Sequence, residues 1–507
     1  MGFVKSVNRA FKLVENHFVI LNTDVELPPL WLERLIYPIL NMPKVASTTP
    51  FTNSGTICSF PVFLKDNPLF ENLPVEKIDY YFQYVNIDKN IIEIPTGVGF
   101  CMGFNKNVAD EIGLFDEAFG KGYGEENDWC QRAIKNGYKN VLVTNLFVYH
   151  KHGGSFKSVE KQKLMEEHMR IMLSKHPEYN NEVNTFIKND PAKSLRFLIK
   201  IKILSDLYGM PLIFHHNLGG GTDEYFKESL LPTYKTLLVQ FFDRKINSYV
   251  IEFFYKGIKE ENRVKVNAKE LIENLENVIS FFNIKKIIIK HVYGYPNILG
   301  FIEFISNIKK RFKNLEYEFM LHDFLSICPI HNLLDYKGKY CNIPDIDYCK
   351  ECIINNSLLK ELNPYVMEEK NISISEWREI FKKFLINCDR IYCFSNSSKN
   401  ILKKAYPDIF DEKIIIKPHT VNWVVPINIK KNKERKVINI GVIGNINYSK
   451  GITIINELIT TIHQKKLPFK IYIFGDIDVR RGISKVKKLV LYGPYNKYDL
   501  SLILEKK

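Results

Sequence analysis

The chain has 507 residues, 45% of them hydrophobic, 13% aromatic and 25% charged, the balance of packed domains rather than of a disordered or fibrous chain. Lysine plus arginine is 71 and aspartate plus glutamate 57, a net charge of +14; the lysines are scattered, and without a basic stripe interleaved with aromatics they argue against nucleic-acid binding. No apolar run reaches the roughly 18 residues of a membrane-spanning helix, no signal-peptide stretch opens the chain, and nine unevenly placed cysteines exclude a disulfide scaffold. The expected compartment is the cytoplasm.

In chain order, strands are predicted at 18–22 and 140–143, a helix from Leu30, and an amphipathic helix over 126–136. A charged helical stretch, 160–202, follows, with turns at 175–177 and 189–191. Short strands at 211–215, 248–255, 285–290, 318–322, 390–395 and 413–417 then alternate with helices such as 268–282 and 300–313, a βαβ pattern. After a basic linker, 428–436, come strands 437–443, 469–474 and 489–492 with a helix at 451–464, and the last residues read as helix. The expected fold class is α/β. The expected domains are 1–176, a helical linker 177–207, a Rossmann-like domain 208–427, and the start of another over 428–507.

The strand 18–22 ends in Asn22-Thr23-Asp24, followed by Val25-Glu26-Leu27-Pro28-Pro29. A carboxylate at a strand's carboxyl end points into the cleft where α/β folds bind ligands, and a hard divalent cation needs such oxygens. Asp24 alone could equally cap the helix that follows. Further on stand Thr96-Gly97-Val98-Gly99-Phe100-Cys101-Met102, Gly113-Leu114-Phe115-Asp116-Glu117-Ala118-Phe119, Gly122-Tyr123-Gly124-Glu125-Glu126-Asn127-Asp128-Trp129 and Val148-Tyr149-His150-Lys151-His152-Gly153-Gly154-Ser155. Over residues 1–175 this ordered set resembles the GT-A glycosyltransferases of family two, in particular their bacterial rhamnosyltransferase-like branch.

The resemblance implies a role for each position. Asn22-Thr23-Asp24 stands where the family carries its Asp-x-Asp-like motif, with Asp24 ligating Mg²⁺ or Mn²⁺ on the donor diphosphate and Asn22 replacing the first carboxylate. Glu126 falls at the general base, with Glu125 and Asp128 as rivals one slip away. His150 falls at a third metal ligand, where a plain core or surface histidine is the alternative. Family members also begin with a nucleotide-clamping segment before the equivalent of Gly2-Phe3, so the expectation is a GT-A domain lacking that part.

Leu212–Phe214 leads into His215-His216-Asn217-Leu218-Gly219-Gly220-Gly221-Thr222, a strand and a triple-glycine turn. Together with Ile440-Gly441-Val442-Ile443-Gly444-Asn445-Ile446-Asn447-Tyr448-Ser449-Lys450-Gly451 and Ile473-Phe474-Gly475-Asp476, it resembles the GT-B glycosyltransferases of family four over 208–507. The resemblance implies that Gly219, Gly220 and Gly221 face the donor diphosphate or the acceptor. It also implies that Lys450 neutralises donor phosphates, against the plainer reading of an exposed lysine at a helix start. The family's sugar-gripping glutamates have no counterpart before Lys507, so this module is expected to be cut short and inactive, with turnover by the first very low or nil.

Cys328, Cys341, Cys349 and Cys352 fall within one short stretch. Cys-x-x-Cys spacing suits a structural Zn²⁺, with His331 as a substitute ligand; unligated thiols or disulfides are the alternatives. The overall expectation is a metal-dependent, inverting transfer of a sugar from a nucleotide-sugar to a hydroxyl of a growing surface polysaccharide. The acceptor is a glycan or lipid-linked glycan, reached by peripheral contact with the inner membrane's cytoplasmic face. The contrasting expectation is a remnant that binds glycan or nucleotide without turnover.

Overall fold

The computed structural model describes residues 2–85, 91–120, 122–151, 159–266, 268–356, 372–419, 437–444, 446–447, 450–477 and 489–495. The chain divides into two units, Met1–Gly209 and Met210–Lys507. Among the described residues no helix is long and apolar enough to cross a membrane.

The first unit is built on a mixed sheet of β1 (Phe18–Leu21), β2 (Val25–Glu26), β3 (Val45–Thr52), β4 (Ile91–Ile94), β5 (Cys101–Phe104) and β6 (Lys139–His150). The order is β1-β5-β3-β6-β2, with β4 also on β6. Strand β6 runs parallel to β3 and antiparallel to β2 and β4. It extends well past the predicted 140–143 because Thr144 and Asn145 interrupt the apolar run without ending the strand. The register slips between Pro50 and Phe51, where β3 goes from pairing Val143 to pairing Phe147, and that bulge absorbs the polar pair.

Among the described residues the α-helices of the unit are α1 (Phe3–Phe11), α2 (Trp31–Asn41), α3 (Val75–Val85), α4 (Lys106–Ile112), α5 (Glu125–Lys135), α6 (Val159–Lys175), α7 (Tyr179–Asn189) and α8 (Lys193–Tyr208). Helix α5 starts after Gly124 at φ 116°, a conformation that favours glycine. Its first turn carries Glu125, Glu126 and Asp128, which complements the helix dipole. Trp129 anchors α5 in the core, packed 4.9 Å from the Phe104 ring and donating its indole N–H to the Gly113 carbonyl at 3.0 Å. The stretch 177–207, expected as a linker, packs onto this unit. Arg196 is buried and donates to the Ser59 carbonyl at 3.1 Å, and the Tyr81 hydroxyl donates to Asp206 at 3.2 Å.

The second unit holds an eight-stranded sheet, β10-β9-β8-β7-β11-β12-β13-β14. These strands are β7 (Leu212–Phe214), β8 (Thr236–Asp243), β9 (Ser248–Tyr255), β10 (Ile258–Val266), β11 (Lys286–Ile289), β12 (Glu316–Leu321), β13 (Arg390–Cys393) and β14 (Ile414–Ile416). Strands β8, β7 and β11 to β14 are parallel, while β9 and β10 fold back as an antiparallel meander. The meander strands β8 and β10 went unpredicted, and β10 reads Ile-Lys-Glu-Glu-Asn-Arg-Val-Lys-Val. Charge of that kind protects a sheet edge and erases the apolar alternation that marks a strand. Helices α9 (Gly221–Tyr225), α10 (Ala268–Phe281), α11 (Ile298–Arg311) and α12 (Ile346–Asn355) connect its strands, with Ile374–Asn387 and Asn396–Ala405 further on. A separate parallel sheet, β15 (Ile438–Ile443), β16 (Phe469–Phe474) and β17 (Leu489–Gly493), packs Ile471 and Ile473 against Ile459 and Ile462 of the helix Ile452–Gln464. The predicted linker 428–436 and the terminal helix lie outside the described residues. The fold is α/β with Rossmann-like parallel and mixed sheets.

One buried ion pair locks three elements of the first unit. Arg34 on α2 grips both carboxylate oxygens of Asp79 on α3, at 2.9 and 2.8 Å, and donates to the Asn145 carbonyl of β6 at 2.7 Å. Asp79 also accepts the Phe147 N–H at 2.9 Å and is 1% exposed. Removing Asp79 leaves the Phe147 N–H and the part-buried Arg34 guanidinium without their carboxylate acceptor, at a cost of about 1–3 kcal/mol. Asp79→Ala is therefore expected to lower the urea midpoint of the first unit's unfolding while a probe in the second unit stays unchanged.

Candidate functional site

Two sheet ends gather the polar side chains. In the first unit, β2 pairs with the end of β6 so that Val25 lies opposite His150, and the Lys151 N–H donates to the Asp24 carbonyl at 2.7 Å. This places Asp24 Oδ1 3.4 Å from His150 Nε2. Asn53 holds the His150 backbone on both sides, accepting its N–H at 2.8 Å and donating to its carbonyl at 3.1 Å. His150 Nδ1 lies 3.4 Å from the Ser54 carbonyl. A carbonyl only accepts, so Nδ1 is assigned the proton, and the lone pair of Nε2 then faces a carboxylate oxygen. That arrangement is favourable when a proton or a cation stands between them. The imidazole ring stacks on Phe100 at 5.3 Å, and the Phe100 carbonyl accepts the Asn22 N–H at 2.9 Å. Asn22 therefore acts here through its backbone. Residues 152–155 of the same motif lie outside the described residues.

Three acidic residues were candidates for the base, and the structure sends them in three directions. Glu126 lines a cavity of about 380 Å³ together with Thr96, Gly97, Val98 and Asn127. A side-chain carbon at Gly99 would lie 3.8 Å from its carboxyl group, so the loop that ends at Phe100 bridges Glu126 and the Asp24–His150 pair. Burial raises the Glu126 pKa, opposed by backbone N–H groups including that of Gly124. Glu125 turns toward Gly122; burial, reinforced by the Glu126 charge, pushes it up to about 8. Its Oε2 is buried without a hydrogen-bond partner. Asp128 is 0% exposed and bound to Arg132 at 2.8 Å and His176 at 2.9 Å, so it ties α5 to the end of α6. Only Glu126, among the three, faces the cavity.

The other sheet end was missed in the sequence. Order β8-β7-β11 makes β7 the point at which the parallel sheet reverses direction, the usual place for a ligand crevice. His215 and His216 follow β7, Lys290 and His291 follow β11, and His322 and Asp323 follow β12. Lys290 is 0% exposed; its ammonium donates to the Thr222 carbonyl and lies 3.3 Å from His215 Nδ1. Burial lowers its pKa to about 7, with Asp223 opposing. His216 Nδ1 accepts the Leu218 N–H at 3.1 Å and its Nε2 meets the Thr222 hydroxyl at 2.7 Å. Burial, then the neighbouring His291, His215 and Lys290, lower its pKa to about 2, so the ring is neutral. His291 accepts the Tyr293 N–H at 3.2 Å and turns Nε2 to Asp323 at 2.9 Å. His322 Nε2 and the Tyr225 hydroxyl are buried without hydrogen-bond partners, and His322 stacks on Phe394 at 4.4 Å. The signal was present: His-His, Lys-His and His-Asp pairs close three predicted strands, as Asp24 follows the first.

Gly219 and Gly220 take φ values of +75° and +85°, so the turn needs glycine. Side-chain carbons built at Gly219, Gly220 and Gly221 would meet nothing within 4 Å. Lys450 is exposed, next to the other sheet, with its N–H bonded to Asn447 Oδ1 at 3.2 Å; the structure does not bring it against the turn.

Cys328, Cys341, Cys349 and Cys352 do line one small cavity, of about 20 Å³. Among the described residues no group of three or more His, Cys, Asp or Glu side chains stands where it could hold a metal ion. All nine cysteines are free, which removes the disulfide alternative. Cys349 Sγ instead accepts from Arg378 Nη2 at 3.3 Å, burial pushes Cys328 up to about 12, and His331 packs 5.0 Å from Tyr293. The cluster is a thiol-lined pocket.

No family model and no curated protein matches the chain. Among solved structures it shows distant likeness to glycosyltransferases of both architectures. One is TarM, with 14% identity and a TM-score of 0.28 over 52% of this chain and 43% of that one. Another is GalNAc-T7 with UDP, GalNAc and Mn²⁺, with 15% identity and a TM-score of 0.24 over 41% of this chain and 45% of that one. A third is an alpha/beta-galactoside alpha-2,3-sialyltransferase from Photobacterium phosphoreum, with 12% identity and a TM-score of 0.29 over 59% of this chain and 82% of that one. The chain thus spans less than half the length of the first two. Likeness at this level carries no argument about activity.

Two expectations follow. Glu125 is held protonated by burial, so the native state binds a proton that the unfolded chain releases near its ordinary value of 4.5. That contribution is full below about pH 4.5 and is lost as pH rises through about 8. The stability difference between wild type and Glu125→Gln, measured by urea melts, should therefore move in favour of the variant from pH 5 to pH 9. In the second unit, Lys290→Met removes the donor to Thr222 and should speed amide hydrogen exchange at 217–222 by about tenfold or more, while Lys290→Arg stays closer to wild type and the amides of β12 do not change.

Proposed function

We propose that the first unit transfers a sugar from a nucleotide-sugar to a hydroxyl of a growing surface polysaccharide, with inversion. The observation that carries this reading is the meeting of Asp24 and His150 from distant parts of the sequence, linked through the Gly99–Phe100 loop to Glu126 on the wall of a cavity. Glu126 accepts the proton of the acceptor hydroxyl as its oxygen bonds to the sugar's anomeric carbon. The bond from that carbon to the donor diphosphate breaks, and its electron pair leaves with the nucleoside diphosphate. Burial raises the Glu126 pKa and makes it a better proton acceptor than an exposed glutamate.

The donor set of one carboxylate oxygen and one imidazole nitrogen fits Mn²⁺ or Mg²⁺, since 3.4 Å lies within the span of two atoms each reaching about 2 Å to a shared ion. Asp24 and His150 would hold such a cation, which would supply positive charge for the leaving diphosphate. Asn53 and the Ser54 carbonyl orient His150 for that task, as outer partners of a ligating histidine do. For the second unit, the same proposal assigns the strand-end cluster around Gly219–Gly221 to a donor or acceptor of the same chemistry. The setting is the cytoplasmic side of the membrane, with peripheral contact.

Donor consumption and product formation by the purified chain, with Mn²⁺ or with EDTA, test the reading. Glu126→Gln should lower the rate about a hundredfold or more with donor binding retained, and Asp24→Asn or His150→Ala should abolish the response to Mn²⁺. Transfer unaffected by all three substitutions would refute it; a folded protein without turnover would leave a binding role instead.

A further inference from the structure

The cavity beside Glu126 is lined by both polar and apolar side chains, Tyr123 and His168 among the polar ones. Glu126, Asn127 and Thr96 are polar too, and the Thr96 hydroxyl already donates to Asn127 Oδ1 at 2.6 Å. Much of the remaining wall is apolar. Met165, Met169 and Met172 lie on α6 at helical spacings that share one face, and Leu64 and Val183 also line the cavity. Met172 is 1% exposed, but Met165 and Met169 are each 40% exposed. Apolar side chains left in water at the rim of a site holding a candidate base mark a ligand surface more readily than a packing surface. Methionine is flexible and polarisable, and adapts to irregular apolar shapes. A sugar bearing only hydroxyl groups would leave this stripe without complementary contacts.

We propose that the methionine stripe of α6 binds an apolar aglycone of the acceptor, an aliphatic or aromatic group joined to the sugar whose hydroxyl faces Glu126. The assignment rests on the sugar-transfer reading of the same cavity. It divides the acceptor within the cavity: hydroxyls toward Glu126, hydrocarbon toward Met165 and Met169. The cavity's size of about 380 Å³ falls in the range of small-molecule sites.

The test is calorimetric titration of the whole chain, without donor, using n-octyl and methyl glucopyranoside below the micellar concentration. The octyl glycoside is expected to bind at least tenfold more tightly than the methyl glycoside. Met165→Glu/Met169→Glu should erase that preference, and Met165→Gln/Met169→Gln should reduce it if the charged pair fails to fold. Equal affinity for the two glycosides overturns the proposal, as does a preference that persists in folded double variants. Glu126→Gln, assayed alongside, separates the two readings. An octyl preference in a protein that never transfers sugar sinks the transfer reading while the apolar subsite stands. Transfer to the methyl glycoside with no octyl preference sinks the subsite alone.

Discussion

The first unit's site depends on a two-residue ladder. Strand β2 is only Val25 and Glu26, yet its pairing with Tyr149 and His150 decides where Asp24 can be. In an antiparallel pair, opposed residues sit about 5 Å apart, so register alone brings a residue just before β2 to the end of β6. A slip of one residue would turn His150 to the other face of the sheet. The guard against such a slip is Asn53, whose amide bonds both the N–H and the carbonyl of His150. The geometry of the pair is thus fixed by backbone hydrogen bonds rather than by attraction between the two side chains.

Much of this was legible in the sequence and some was not, for identifiable reasons. Asp24, Glu126 and His150 stood out because each lies in a motif with neighbours of fixed type; the structure brings Asp24 and His150 together, while Glu126 lines a cavity. Asn53 could not be seen, since a polar residue just after a strand resembles any turn residue until its partner is known. Glu125, Glu126 and Asp128 were equivalent as letters. Burial separated them: one faces a cavity, one is buried without a partner for Oε2 among the described residues, and one is bonded to Arg132 and His176. Lys450 and the cysteines are the contrasting case. Proximity in sequence, or membership of a pattern, did not place them in a shared coordination sphere or against the glycine turn.

The second unit gathers basic side chains where charge is hard to sustain. His215, His216 and His322 are pushed toward the neutral form first by burial, and Lys290 and His291 add to it for all three, against Asp223 in the case of His215. The carboxylates nearby, Asp223 and Asp323, are engaged by His215 and His291. The strand ends therefore offer imidazole nitrogens held toward the neutral form and a buried lysine, groups able to bond hydroxyls or a negative charge.

The helix α5 and strand β6 are consecutive, joined by a turn at Asn136–Tyr138. Glu126 opens that segment and His150 closes it, so two of the three proposed catalytic-site residues are inherited on one piece of chain whose internal distances are set by a single helix and a single strand. Asp24 is the component supplied from elsewhere. A recombination point placed between α4 and α5 would thus carry the proton acceptor and the imidazole across together, and the transplanted piece would need only a strand end bearing a carboxylate, in register with its last residue, to rebuild the arrangement in another sheet.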